Sequence, residues 1–223
     1  MRKLNKPKIL STKYKEWEEE LERSGNPHPV YNSSRNRFYK DIVANLLHIQ
    51  DGLCAYTEIR LCDEDIVDNH NWENGKFAVN NFEFKGQLDH FDPSLKTEKA
   101  WLWSNFYVVD SDVNMKKKRD SEVDSILDPG SVDYDEHRYL DYSCSTHLFI
   151  ANSNLTPDEK ERVNSMISVL GLNYGPIKDI RRRFLSEKFK SIDFGLEDSD
   201  TVVIDEFPTA FRICAEKQVR ILN

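Results

Sequence analysis

Residues 88–118 carry the side chains best suited to chemistry: Leu88-Asp89-His90-Phe91-Asp92-Pro93, then Trp103-Ser104-Asn105, then Asp112-Val113-Asn114-Met115-Lys116-Lys117-Lys118. A neutral imidazole such as His90 can take a proton from water near pH 7. A carboxylate and an amide oxygen, as on Asp89 and Asn114, are hard donors suited to Mg²⁺ or Mn²⁺. The trailing lysines can hold a phosphate as point charges. Together these are the groups that one-metal phosphodiester hydrolysis requires. Taken alone, an Asp-His pair is more often plain surface polarity. Only the order of the whole stretch raises it above that.

The elements that must position these groups are legible around them. From Ser11, Tyr14, Trp17 and Leu21 recur at helical spacing, and 24–29 (Ser-Gly-Asn-Pro-His-Pro) ends that helix, with His28 expected in solvent. Ser33-Ser34 offers an N-cap for a stronger helix with Phe38, Ile42, Leu46 and Ile49 on one stripe, stopped at Asp51-Gly52. Residues 60–76 read as an acidic, Asn-rich polar loop with a tight turn at Asn74-Gly75. Phe77, Val79, Phe82 and Phe84 alternate as strands do, leading through Gly86 into Asp89-His90. Ile126 to Gly130 closes this region with a turn. Beyond it, Phe149-Ile150 suggests a strand and Thr156-Pro157-Asp158-Glu159 a capping box. A further helix starts near Pro176, with Arg181 to Arg183 partly outward. After Ser199 the chain holds Val202 to Ile204, a break at Pro208 and a last helix carrying Phe211, Cys214 and Leu222.

Composition narrows the class. The 223 residues suffice for one generous domain or two small ones. No apolar run approaches membrane-spanning length, and 1–10 is a basic lead-in without a signal-peptide core, expected to be mobile or docked on a partner. Cytoplasmic residence, no membrane association and four free thiols (Cys54, Cys62, Cys144, Cys214) are the resulting expectations. A formal net charge of −8 argues against coating nucleic acid by bulk attraction but leaves room for local phosphate contact. Basic clusters lie at Lys3, Lys6 and Lys8, at Lys116 to Arg119, and at Arg181 to Arg183 with Lys188 and Lys190; outside Lys116 to Lys118 they read first as solvated faces. No Gly-rich phosphate loop is present, so the chain is not itself expected to be an ATPase.

With these residues in view, the stretch resembles the ββα motif of HNH endonucleases. With its flanks (Gln50-Asp51-Gly52-Leu53-Cys54-Ala55-Tyr56-Thr57-Glu58 upstream; Ile126-Leu127-Asp128-Pro129, Asp133, Glu136, His137, Leu170-Gly171-Leu172-Asn173 and Arg181 to Arg183 downstream) it resembles the PtuB-type nuclease subunits of Septu and retron-linked anti-phage systems. The resemblance covers roughly 35–185. It implies an α+β fold, mainly helical, with a central ββα-metal unit: an N-terminal extension and helix over 1–33, a nuclease core over 34–130, and a C-terminal helical region over 131–223. It implies His90 as general base, Asp89 and Asn114 as ligands of one Mg²⁺ or Mn²⁺, Asn105 bracing the loop that carries the histidine, and Lys117 touching phosphate. Glu58 and His137 would be accessory; His137 equally suits a helix cap. Implied partners are a DNA substrate, an ABC-type ATPase subunit (PtuA-like), and a retron reverse transcriptase with its DNA. The chain departs from the family at the structural zinc site. Thr57, Asp110 and Val113 stand where relatives carry cysteines beside Cys54, so no structural zinc is expected. That departure keeps open a catalytically inactive binding or adaptor subunit. An RNA or tRNA target is the remaining alternative, because the motif sets the chemistry and not the sugar.

Overall fold

The computed structural model describes residues 1–198 and 201–222, with side chains through 217. Leu222, expected on the apolar face of the last helix, and the segment ends Ser199 and Asn223 lie outside the described side chains. The fold is α+β, helices with small antiparallel sheets. None of the described helices is long and apolar enough to cross a membrane. The chain divides into two compact units, one of Leu4–Ala55 and Leu61–Val123, the other of Met1–Lys3, Tyr56–Arg60 and the residues from Asp124 onward.

In the first unit, helix α1 (Thr12–Ser24) ends where Gly25 takes a left-handed φ of 65° and donates its N–H to Glu22 O. Its inner face buries Tyr14 and Glu18. Both reach the same distant segment: Tyr14 OH donates to Trp101 O (2.8 Å), and Glu18 Oε1 accepts the Trp103 N–H (2.6 Å). Helix α2 (Tyr39–Ile49) begins several residues later than Ser33-Ser34, the expected cap. Asn36 Oδ1 takes the Phe38 N–H at 2.8 Å, and that local turn competes with an earlier helical start. Ile42, Val43, Leu46 and Leu47 are buried along α2. Asn45 Oδ1 accepts Leu10 N–H (2.8 Å) and Ser11 N–H (3.0 Å), tying the lead-in to this helix.

From Leu4 onward that lead-in, expected to be mobile or docked on a partner, packs into the first unit. Leu4 is buried, and Lys6 Nζ donates to Ser104 O (3.0 Å) and Phe106 O (2.6 Å) while lying 4.0 Å from the Tyr107 ring centroid. His28 is also buried instead of solvated. Its Nδ1 accepts the Trp101 N–H (3.1 Å), and Nε2 lies 2.7 Å from Glu22.

Strands β1 (Trp72–Glu73) and β2 (Lys76–Phe77) form a short hairpin around Asn74 (φ 51°) and Gly75 (φ 74°). The alternation from Phe77 to Phe84 does not continue as strand. Asn81 turns left-handed (φ 55°), and Phe77, Phe82 and Phe84 pack ring on ring at 5.2 Å spacings instead. Strands β3 (Gln87–His90) and β4 (Phe106–Val109) then pair antiparallel, with Asp89 opposite Tyr107 and His90 opposite Phe106. Every β4 residue is buried. Gln50 holds the outer edge of β4 as a third strand would: Nε2 donates to Val108 O (2.8 Å) and Oε1 accepts Val108 N–H (3.0 Å). Helix α3 (Ser111–Val113) follows at once, capped by Asp110 Oδ1 on Val113 N–H (3.0 Å), and widens into a π-helical turn over Asn114–Lys118.

In the second unit, helix α4 (Glu136–Tyr139) leads into the hairpin of β5 (Leu140–Ser143) and β6 (Leu148–Ala151). Helix α5 (Pro157–Val169) opens with the expected capping box, Thr156 and Glu159 bonding reciprocally. Helix α6 (Gly175–Asp193) presents Arg182 and Arg183 outward, but Arg181 is fully buried. Its guanidinium donates to Leu172 O (2.9 Å), His147 O (3.0 Å) and Tyr142 OH (3.3 Å), which replaces the water a surface arginine would use. Helix α7 (Pro208–Leu222) is joined to β5's end by a disulfide, Cys144–Cys214 (Cα–Cα 5.9 Å). Two of the four cysteines are therefore not free thiols. The fold brings together residues 70 apart in sequence, a proximity that spacing could not reveal. Cys54 and Cys62 are free and buried.

Candidate functional site

Asp89, His90 and Asn114 line one cleft of about 440 Å³, together with Tyr31, Leu88, Lys96, Met115, Arg119 and Asp120. The β3–β4 hairpin sets the first two, and the π-helical turn that continues α3 sets the third. The compact strand–strand–helix order therefore accounts for the convergence.

The tautomer of His90 follows from its surroundings. Nε2 lies 2.9 Å from the Ala100 carbonyl oxygen, which can only accept, so Nε2 carries the proton and Nδ1 the lone pair. The ring is held edge-on between Tyr31 and Phe106, each centroid 4.9 Å away. Burial pushes the His90 pKa below the ordinary imidazole value. Lys96 and Lys118 push it further, while the Ala100 bond and Asp120 oppose. The imidazole is thus neutral at pH 7, with one basic nitrogen.

Asn105 stands behind the histidine. Its Oδ1 accepts the Asp92 N–H (2.7 Å), its Nδ2 donates to Asp92 O (2.9 Å), and its own carbonyl accepts Phe91 N–H (2.8 Å). The turn leaving β3 is therefore clamped from both backbone polarities. Asn114 Nδ2 donates to Gln87 Oε1 (3.2 Å), which leaves the amide oxygen for the cleft.

Lys117 is exposed on the π-helical turn and outside the set that lines the cleft. Its neighbour Lys118 is fully buried and donates to the His90 carbonyl at 3.3 Å. Burial lowers the Lys118 pKa, and Asp89 pulls in the opposite direction. The cations lining the cleft are Lys96 and Arg119. Sequence reasoning passed over Lys96 because nothing in the turn after Pro93 marks which face a side chain takes. Arg119, the last of a basic run, was visible only as part of a solvated cluster.

Glu58 and His137 belong to the second unit. Glu58 is buried with its carboxylate accepting the Met1 ammonium (3.2 Å), Thr209 N–H (3.0 Å) and Thr209 Oγ1–H (2.5 Å). Burial alone would raise its pKa, but the ammonium and these bonds outweigh that and hold it below the ordinary carboxylate value. His137 sits in the first turn of α4, where Asp135 Oδ1 accepts its backbone N–H (2.9 Å), and its ring meets Arg212 at 2.8 Å.

The positions weighed for structural zinc are otherwise engaged. Cys54 Sγ accepts the Asp110 N–H (3.3 Å), Asp110 caps α3, and Val113 is fully buried. Thr57 is buried in the second unit. Among the described residues no three His, Cys, Asp or Glu side chains form a metal-holding group. One carboxylate and one amide oxygen on an open cleft instead fit a hard cation that keeps most of its water, as Mg²⁺ does. Compared with known proteins, the chain matches no family model and no curated protein.

Proposed function

We propose that this chain is a divalent-metal-dependent endonuclease of the HNH type that hydrolyses DNA phosphodiester bonds. The observation that carries the reading is the convergence of Asp89, His90 and Asn114 on one cleft, with Nε2 of the histidine tied to a carbonyl and Nδ1 left as a base. The hairpin-then-helix order of β3, β4 and α3 supports the same reading. His90 Nδ1 takes a proton from the attacking water, a role worth about 10²–10⁴ in rate. Asp89 and Asn114 would hold Mg²⁺ or Mn²⁺ through oxygen. When bound, that cation offsets charge on the phosphoryl group and the departing oxygen. Asn105 keeps the turn behind the base in place. The acidic balance of the chain, net −8, suits a subunit whose DNA is delivered by a partner. We place it accordingly as the effector of an anti-phage complex with an ABC-type ATPase.

The test is plasmid cutting with Mg²⁺ or Mn²⁺ by the purified chain, alone and with that ATPase. The unsubstituted protein should cut, and His90→Ala should be slower by about 10² or more. Equal cutting by the two would end the assignment.

A further inference from the structure

The cleft holds one feature that base and metal ligands do not use. Lys96 Nζ makes an ion pair with Asp120, and both side chains line the His90 cleft. The same two residues also line a neighbouring, larger cavity of about 840 Å³, whose other walls include Asp92 and Glu122. Lys96 therefore stands where an acidic cavity meets the cleft that would hold a reacting phosphate. Its partner is not locked in place. Asp120 is 77% exposed and Lys96 40% exposed, so the pair is a solvent-screened one, worth little in stability and readily exchanged. The second cation of the cleft, Arg119, is anchored by Nε donating to Met115 O (2.8 Å), which leaves its two terminal nitrogens to face a ligand. Its backbone is held at φ 44° by the N–H bond to Asn114 O (2.8 Å).

We infer that Lys96 and Arg119 form the phosphate clamp of this cleft, and that Asp120 is a built-in counterion which the substrate phosphate must displace from Lys96. The inference rests on the nuclease reading above and names the side chains that hold its substrate's phosphate. Each backbone phosphodiester carries one charge, as a carboxylate does, but a polynucleotide presents a row of them and releases condensed counterions on binding, so exchange favours it over an isolated carboxylate ligand. Without substrate, Asp120 keeps the lysine turned to the carboxylate and repels stray anions from the base.

Binding can be read by fluorescence anisotropy of a short fluorescein-labelled DNA duplex with Mg²⁺, using the full chain in a His90→Ala background so that nothing is cut. Lys96→Met and Arg119→Met should each weaken binding about 5–10-fold and lower the slope of log affinity on log salt by about one. Asp120→Asn should tighten binding several-fold, and that gain should vanish when Lys96→Met is present. A gain of equal size in the Lys96→Met background would mean plain repulsion and would overturn partner exchange. Unchanged binding in Lys96→Met and Arg119→Met, while the unsubstituted chain cuts and His90→Ala does not, would sink the clamp and leave the nuclease reading standing. No binding and no cutting by the unsubstituted chain would remove both.

Discussion

Asn105→Ala separates bracing from mere burial. The side chain is 5% exposed and makes two bonds to the Asp92 backbone, at 2.7 and 2.9 Å. Each neutral hydrogen bond contributes about 1 kcal/mol net, and a stranded partner that water reaches only in part adds a further fraction. Asp92 is half-buried, so the sum is a loss of about 2–3 kcal/mol. All four tryptophans (Trp17, Trp72, Trp101, Trp103) lie in the first unit, so urea denaturation followed by tryptophan emission reports on the relevant structure. Ser104→Ala, at an exposed neighbour, is the control and should stay within about 0.5 kcal/mol of the unsubstituted chain. The DNA-cutting rate of Asn105→Ala should fall about tenfold or more, since a displacement near 1 Å at a reacting group costs up to about 10². If its unfolding midpoint coincides with that of Ser104→Ala and cutting is unchanged, the bracing argument is refuted.

Two further outcomes follow from groups already described. Burial depresses the His90 pKa, so its neutral form prevails at pH 7; if it is the base, cutting should fall only once the pH drops below the ordinary imidazole value of 6.5. The stability contribution has the same sign: it is complete above 6.5 and lost as pH falls from there through the folded-state value, because the unfolded chain then binds the extra proton. A cutting profile with its acid limb centred above pH 7 would contradict this. The Cys144–Cys214 bond closes a long loop, so reduction should cost about 4 kcal/mol in the chain-entropy account, read as a lower denaturation midpoint by circular dichroism. Alkylation of the denatured, unreduced chain should modify two thiols and the reduced chain four; four without reductant would exclude the bond.

Local pattern carried much of the fold. The stripe of α2, the Thr156 capping box and the Asn74-Gly75 turn are decided by neighbours within a few residues, and the sequence displays those neighbours directly. The misjudged residues are the ones whose partners lie far along the chain. His28 is buried because Trp101 uses it, 73 residues away, and Lys6 because the carbonyls of Ser104 and Phe106 need a donor. Arg181 looked like one of three surface arginines until the carbonyls of Leu172 and His147 claimed it. At the candidate site, the resemblance pointed to Asp89, His90 and Asn114 as a set, and the three line one cleft. The places of Lys96, Lys118 and Arg119 were not legible, since Lys96 depends on the short helical turn after Pro93 and the other two on how a π-helical turn ends.

The amide of Gln50 has a wider consequence. An unpaired strand margin is an invitation to foreign chains, yet beside the histidine that margin is already taken: Val108 by Gln50 and by the Ala55 N–H, Phe106 by the Lys6 ammonium. A strand approaching this edge of β4 would meet backbone groups already bonded, so any contact made there would have to run through side chains. The same plugging guards the ribbon against slipping by one residue, a slip that would turn Asp89 and His90 to opposite faces from those they now hold.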